Sequence, residues 1–187
     1  MQPILVAYAT TEGQTAKIAA FIAERLRIRG HRVDLVDTAT PAAAQVVPLY
    51  QAAFLGGSLH QQRHQDSLRH FIAGNRAWLR AMPTAFFSVS LAAALEDMDS
   101  RLETQRLLQE FLAECSLRPI VARCIPGALK YTRYDYFKRL VMRHIAKEQG
   151  RPTDTSQDYE YTRWADVEAF VDEFLVEARI PGGARMA

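Results

Sequence analysis

Three short runs, "ILVAYA" (Ile4–Ala9), "AAFLGGS" (Ala52–Ser58) and "TAFFSVS" (Thr84–Ser90), are almost continuously apolar, and helix-period stretches stand between them. Strands covered on both faces read this way, and only a parallel sheet sandwiched by helices demands several of them in one chain. Two further strand-like runs complete the set. "HRVDLVD" (His31–Asp37) alternates as a strand nearer an edge does, and "PIVARCI" (Pro119–Ile125) follows the helix-period stretch that ends at Cys115. The intervening pattern predicts helices over Gly13–Arg29, Ser67–Leu79, Leu102–Cys115 and Trp164–Ala178. Their inward stripes are Ile18, Phe21, Ile22, Leu26 and Ile28; Leu68, Phe71, Ile72 and Leu79; Leu107, Leu108, Phe111 and Leu112; and Val167, Phe170, Val171, Phe174 and Leu175. A weak second helix is expected within Thr38–Pro48. Strand–helix alternation with short loops means an α/β doubly wound sheet, and five strands at this length favour the order 2-1-3-4-5.

At 187 residues, with 49% hydrophobic and 24% charged side chains, the chain fits one globular domain. No apolar run reaches the roughly 18 residues of a membrane span. The amino terminus passes directly into a strand, so no signal peptide is expected. Cys115 and Cys124 form neither a CxxC pair nor a disulfide framework and are expected to be idle thiols. The expected domain covers 1–178, with an insertion at about 128–160 and a frayed tail at 179–187.

In a doubly wound sheet, ligands lie beyond the carboxyl ends of the strands. There the first loop reads "ATTEGQT" (Ala9–Thr15). Hydroxyls at Thr10, Thr11 and Thr15, a glycine at Gly13 and a helix opening behind them suit a phosphate, which the free N–H groups of a helix N-terminus bind without a cation. A plain helix cap with polar neighbours would satisfy the same residues. GxxxxGK[ST] and GxGxxG are both absent, which argues against a triphosphate loop and a dinucleotide fingerprint. A phosphorelay receiver would need acids after the first strand and at the end of the third. Thr10–Thr11 and Gly56–Gly57–Ser58 occupy those places.

The net charge of +2 is unevenly spread. Between Ala128 and Arg151 seven bases face two acids, a net of +5, which leaves −3 for the remainder. On a helical wheel over Arg133–Glu148, Phe137, Leu140, Val141, His144 and Ile145 share one face, while Arg139, Arg143 and Lys147 form a separate stripe. A plain cover helix is one reading of this basic, aromatic segment. Contact with an anionic membrane surface is another, and a binding surface for a flat carboxylate-bearing ring a third. Nucleic acid is disfavoured, because no further basic surface accompanies it. His60, His64 and His70 raise the question of a metal, with His60 and His64 at i, i+4. No thiolate joins them, and the expected reading is a polar loop with His60 near the ligand.

"YATTEGQT" resembles the phosphate loop of flavodoxins. Together, "GGSLHQQRHQ", "MPTAFFSVSL" and "PGALKYTRYDYFKRLVMRHI…TDT…YTRW" resemble the menaquinone-dependent protoporphyrinogen oxidase family of flavodoxin-like proteins. The similarity runs from Ile4 to about Leu175. It implies a flavodoxin-like fold, FMN as cofactor, and oxidation of protoporphyrinogen IX to protoporphyrin IX in haem biosynthesis, with menaquinone or ubiquinone accepting electrons. It places the protein in the cytoplasm, peripheral on the inner face of the cytoplasmic membrane. Carried over by position, Thr10, Thr11, Glu12, Gly13, Gln14 and Thr15 would hold the FMN phosphate. Ser88, Val89, Ser90 and Leu91 would flank the ring or ribityl chain, with Gly57 and Ser58 opposite and Asp154 and Thr155 approaching the flavin. Tyr131, Arg133, Tyr134, Phe137, Lys138, Arg139, Arg143 and Lys147, with Tyr136 and Lys130 among them, would meet substrate or membrane. Tyr131, Tyr134 and His144 are the candidates for a general base. The chain departs from the family after the fourth strand, where a basic, proline-containing loop is implied. It reads "LAAALEDMDS", with Glu96, Asp97 and Asp99. That acidic loop favours the alternatives: a flavodoxin-like electron carrier, or a quinone-linked paralogue with another substrate. A membrane-peripheral module without cofactor is a third.

Overall fold

The computed structural model of the chain describes residues 2–95, 97–129 and 159–181. Five parallel strands, β1 (Ile4–Ala9), β2 (Val33–Asp37), β3 (Ala52–Ser58), β4 (Thr84–Ser90) and β5 (Val121–Pro126), lie in the order β2-β1-β3-β4-β5. The three continuously apolar runs are the three central strands, whose residues are buried almost without interruption. The two patterned runs are the edges, and each exposes part of its length.

Helices cover both faces. Helix α1 (Gln14–Ile28) and helix α4 (Trp164–Glu177) share one core with Ile4, Val6, Phe54 and Phe87. Phe54 packs edge-on against Phe174 and Phe170 at 4.6 and 5.6 Å between ring centres. On the other face, α2 (Asp66–Leu79) and α3 (Met98–Glu114) bury Leu68, Phe71, Ile72, Leu108, Phe111 and Leu112 against Leu5, Leu55 and Phe86. Gly56 belongs to the packing on the α1–α4 face: a Cβ there would lie 2.0 Å from the Phe87 ring, so the strand must carry glycine where that aromatic crosses it.

Several expectations shift. Thr38–Pro48 holds only a 3-10 turn, Pro41–Gln45, none of whose residues is buried, so it lacks the apolar stripe that would support a longer helix. Helix α3 starts a turn earlier than Leu102, because Asp97 caps it by accepting a 2.9 Å bond from Ser100 N–H. Its first turn escapes a periodicity search because Met98 and Leu102 face solvent. Ile28, expected inward, is exposed at the end of α1, while Phe21 and Leu107 are only partly buried. After β5 comes an unexpected antiparallel ribbon of two-residue strands, β6 (Ala128–Leu129) and β7 (Tyr159–Glu160). The expected helix over Arg133–Glu148, Asp154 and Thr155, Glu96 and the tail beyond Pro181 lie outside the described residues. Among the described residues no helix is long and apolar enough to cross a membrane.

Candidate functional site

Because all five strands run the same way, their carboxyl ends bring three loops to one edge of the sheet. The loop from β1 to α1 turns at Gly13, whose φ of 92° lies in the left-handed region that an L side chain resists. Thr10 Oγ1 accepts the Gly13 N–H at 2.9 Å and fixes that turn. No side chain caps the start of α1, so its first N–H groups remain open to a ligand. Thr15, only 1% exposed, has a buried hydroxyl without a hydrogen-bond partner. A buried unpaired donor beside an uncapped helix start is what an anion would satisfy.

These groups line a small cavity of about 50 Å³. Thr10, Thr11, Glu12, Gln14 and Thr15 form one wall, and Ser58, Val89, Ser90 and Leu91 another. Gly13 supplies the turn. Gly57 and Ser88, grouped with these residues on sequence, face elsewhere. A Cβ on Gly57 would meet Leu68 and His64, and Ser88 Oγ lies 2.9 Å from His64 Nε2 inside the core. Gly127, Ala128, Leu59 and His60 complete the cavity lining. No local motif marks Gly127 and Ala128. They arrive because Gly127 N–H bonds Ser90 O at 2.9 Å.

Polar contacts brace the rim. Gln65 donates its amide to Thr11 Oγ1 at 2.9 Å and also to Ser58 Oγ, tying the phosphate loop to the end of β3. Gln14 Nε2 reaches Thr162 Oγ1 at 2.9 Å, and Thr162 donates to Pro126 O at 2.7 Å. Lys17 pairs with Glu160 at 3.4 Å, and Trp164 Nε1–H donates to the same carboxylate at 2.9 Å. The β6–β7 ribbon, which carries residues 130–158 between its strands, is therefore anchored beside the α1 start.

A second cavity, about 300 Å³, adjoins the first and shares Leu59, His60, Ser90 and Leu91 with it. Its floor is the 3-10 turn at Ala92 and its far wall α3, through Asp99, Glu103 and Leu107. Its roof is a tight turn at His60–Arg63, where Gln61 and Gln62 hold φ of 48° and 63°. Non-glycine residues there carry strain, and strain of this kind gathers at ligand-binding loops. The cavity has both apolar and polar walls, and it lies next to the anion site as a ring would lie next to its phosphate tail.

His64 is not beside His60 as a ligand pair. It packs 4.4 Å from the Phe111 ring, and burial, with the Arg69 charge nearby, holds it down to about 4, so it stays neutral. Among the described residues no cluster of three metal-ligating side chains exists. Burial pushes the Cys115 and Cys124 thiols up, away from nucleophilic chemistry. A groove of about 920 Å³ follows the outer edge of β5 and shares no lining residue with the anion cavity.

A family model described as a flavodoxin domain matches residues 5–156. "Protoporphyrinogen IX dehydrogenase [quinone]" of Leishmania major is 32% identical over 91% of this chain and 73% of its own length. The protein of the same name from Escherichia coli K12 is 30% identical over 90% and 92% respectively. The chain belongs to the protoporphyrinogen IX dehydrogenase [quinone] family of flavodoxin-domain proteins. Solved structures agree on the fold. Oxidised Flavodoxin 1 of Bacillus cereus matches with a TM-score of 0.56 at 15% identity, covering 93% of this chain and 97% of that one. A WrbA-like flavodoxin of Agrobacterium tumefaciens matches with a TM-score of 0.55 at 11% identity, over 96% and 97%.

The family's fold thus brings the Thr10–Thr15 loop together with Ser58 and Val89–Leu91. Tyr131, Arg133, Tyr134, Phe137, Lys138, Arg139, Arg143, His144, Lys147, Asp154 and Thr155 lie outside the described residues.

Proposed function

We propose that this protein binds FMN and oxidises protoporphyrinogen IX to protoporphyrin IX, passing the electrons to a quinone. The observation that carries the cofactor assignment is the unpaired Thr15 hydroxyl, buried beside the uncapped start of α1 and the left-handed Gly13 turn. This set fits a phosphate monoester without needing a cation. FMN, when bound, supplies the two-electron acceptor that no side chain of the chain provides.

The chain's own residues do the rest. Thr10 fixes the loop, while Thr11, Thr15 and the α1 N–H groups would hold phosphate oxygens. Ser58 and Gln65 brace Thr11 from the β3 side. Val89, Ser90 and Leu91 would lie along the ring on one side and Leu59 and His60 on the other, excluding water from its face. Ser90 is itself held, because its Oγ accepts the Ala93 N–H at 3.1 Å. The substrate and the acceptor are taken from the relatives' printed names. The basic, aromatic segment Lys130–Arg151 is our proposed contact with an anionic membrane surface, where a quinone resides.

The acidic stretch after β4 counts less against this reading than its charge suggests. Asp97 is spent on capping α3, and Asp99 sits in that helix's first turn, where negative charge is favoured. A plain electron carrier would bind FMN equally well but would not act on a porphyrinogen. The separating experiment loads the protein with FMN, adds protoporphyrinogen IX and menaquinone without oxygen, and follows porphyrin fluorescence. Quinone-dependent fluorescence above the uncatalysed rate supports the enzyme; none leaves the carrier.

A further inference from the structure

Beyond the ring cavity, past the Ala92–Ala94 turn, lies a third cavity of about 180 Å³. Leu95 is common to both. Its other walls are Ala93, Ala94, Pro126, Tyr161 and two arginines, Arg101 and Arg163. The arginines come from opposite sides of the sheet edge. Arg101 is in the first turn of α3, and Arg163 is the residue that precedes α4. Nothing local in the sequence links them, which is why no motif announces the pair.

Their electrostatic situation separates them from the other arginines along this edge. Arg106 is bound by Glu103 and Glu110, and Arg123 by Glu173. Arg163 pairs through its Nε with Asp166, at 2.8 Å, the one ion pair it makes among the described residues. Arg101 makes no ion pair among the described residues, and its guanidinium is exposed at the cavity. Two guanidiniums at one small opening, with alanines for the opposing wall, leave room for a carboxylate. Planar forks of N–H donors match that group bidentately.

We propose that Arg101 and Arg163 form a carboxylate subsite that takes the acidic side chains of a flat apolar substrate stacked against the outer face of the flavin held in the adjoining ring cavity. The assignment rests on the porphyrinogen reading above and deepens it. The ring would be held by apolar walls, and the orientation would be set by these two charges. It also supplies positive charge close to the place where the loop after β4 lacks it: the cation is carried one helical turn further on, at Arg101, and on α4's first flank, at Arg163.

The test uses protoporphyrin IX and its dimethyl ester, which share the ring and differ in the two carboxylates. Binding to the FMN-loaded protein is followed by fluorescence quenching, for the wild type, Arg101→Gln, Arg163→Gln, the double variant and Arg101→Lys. The wild type should prefer the diacid over the diester. Each Gln variant should lose roughly three- to tenfold of that preference, Arg101→Lys should retain part of it, and the diester's affinity should stay level throughout. Equal binding of diacid and diester by the wild type, or a loss that strikes both ligands alike in the variants, overturns the subsite. The porphyrinogen reading stands or falls separately on turnover. Turnover without a diacid preference removes the subsite alone, and a diacid preference without turnover keeps the subsite and removes the reaction.

Discussion

Thr15 and His64 are two buried polar residues with opposite meanings. Thr15 has a hydroxyl with no partner, while His64 is bonded to Ser88 and enclosed by Phe86 and Phe111. A hydroxyl kept unpaired in the fold is a cost accepted for a ligand. Thr15→Val keeps the shape and removes the polar atom. It should leave the flavin-free protein as stable or more so in thermal melts, while FMN titration shows affinity reduced about tenfold or more. Unchanged affinity would remove Thr15 from the phosphate site. His64 behaves as a core residue. Its folded pKa lies near 4, below the ordinary 6.5, so between those values the unfolded chain binds more protons than the folded one. Stability is full above pH 6.5 and falls as the pH drops toward 4, by roughly 3 kcal/mol in all. His64→Gln, which can still bond Ser88, should flatten that acid slope in melts taken across the range. Part of it should persist, because burial also lowers the pKa of His31.

Among the elements, the central strands and the buried helix faces were legible because each is long, regular and one-sided. β3 and β4 are read to the residue from their apolar runs alone. The start of α3 was not, since its first turn has no buried face and is defined by a cap instead. Asp97→Ala should therefore cost about 1 kcal/mol, a fall of roughly 2–4 °C in melting temperature for a chain of this size, with the fold retained. The β6–β7 ribbon was illegible for another reason. Two-residue strands carry no period, and this pair is placed by long-range bonds from Thr162 to Gln14 and Pro126. The candidate site divides the same way. The Thr10–Thr15 loop is contiguous and visible, whereas Gly127, Ala128, Arg101 and Arg163 meet only through topology. Ser88 is bonded to His64 within β4, while Val89 and Ser90, at the carboxyl end of that strand, reach the cavity lining.

For the whole molecule, the separation of charge matters as much as the fold. A body of net −3 carries a segment of net +5, and the two short strands on either side of that segment in the sequence pair beside the anion cavity. Anionic vesicles should sediment the protein at low salt and release it as salt is raised. Neutralising Arg139, Arg143 and Lys147 should abolish most of the binding, at about 1 kcal/mol for each charge near the surface. Sedimentation that is unaltered in the triple variant would detach the segment from the membrane. In the proposed function, one cavity system joins FMN to a porphyrinogen on one side of the reaction and a quinone on the other. This reading is tested most directly by flavin absorbance in an anaerobic rapid-mixing experiment on the FMN-loaded protein. Protoporphyrinogen IX should bleach the flavin while porphyrin fluorescence rises, and a later addition of menaquinone should restore the oxidised spectrum. A flavin that stays oxidised in the presence of excess protoporphyrinogen IX would contradict the account.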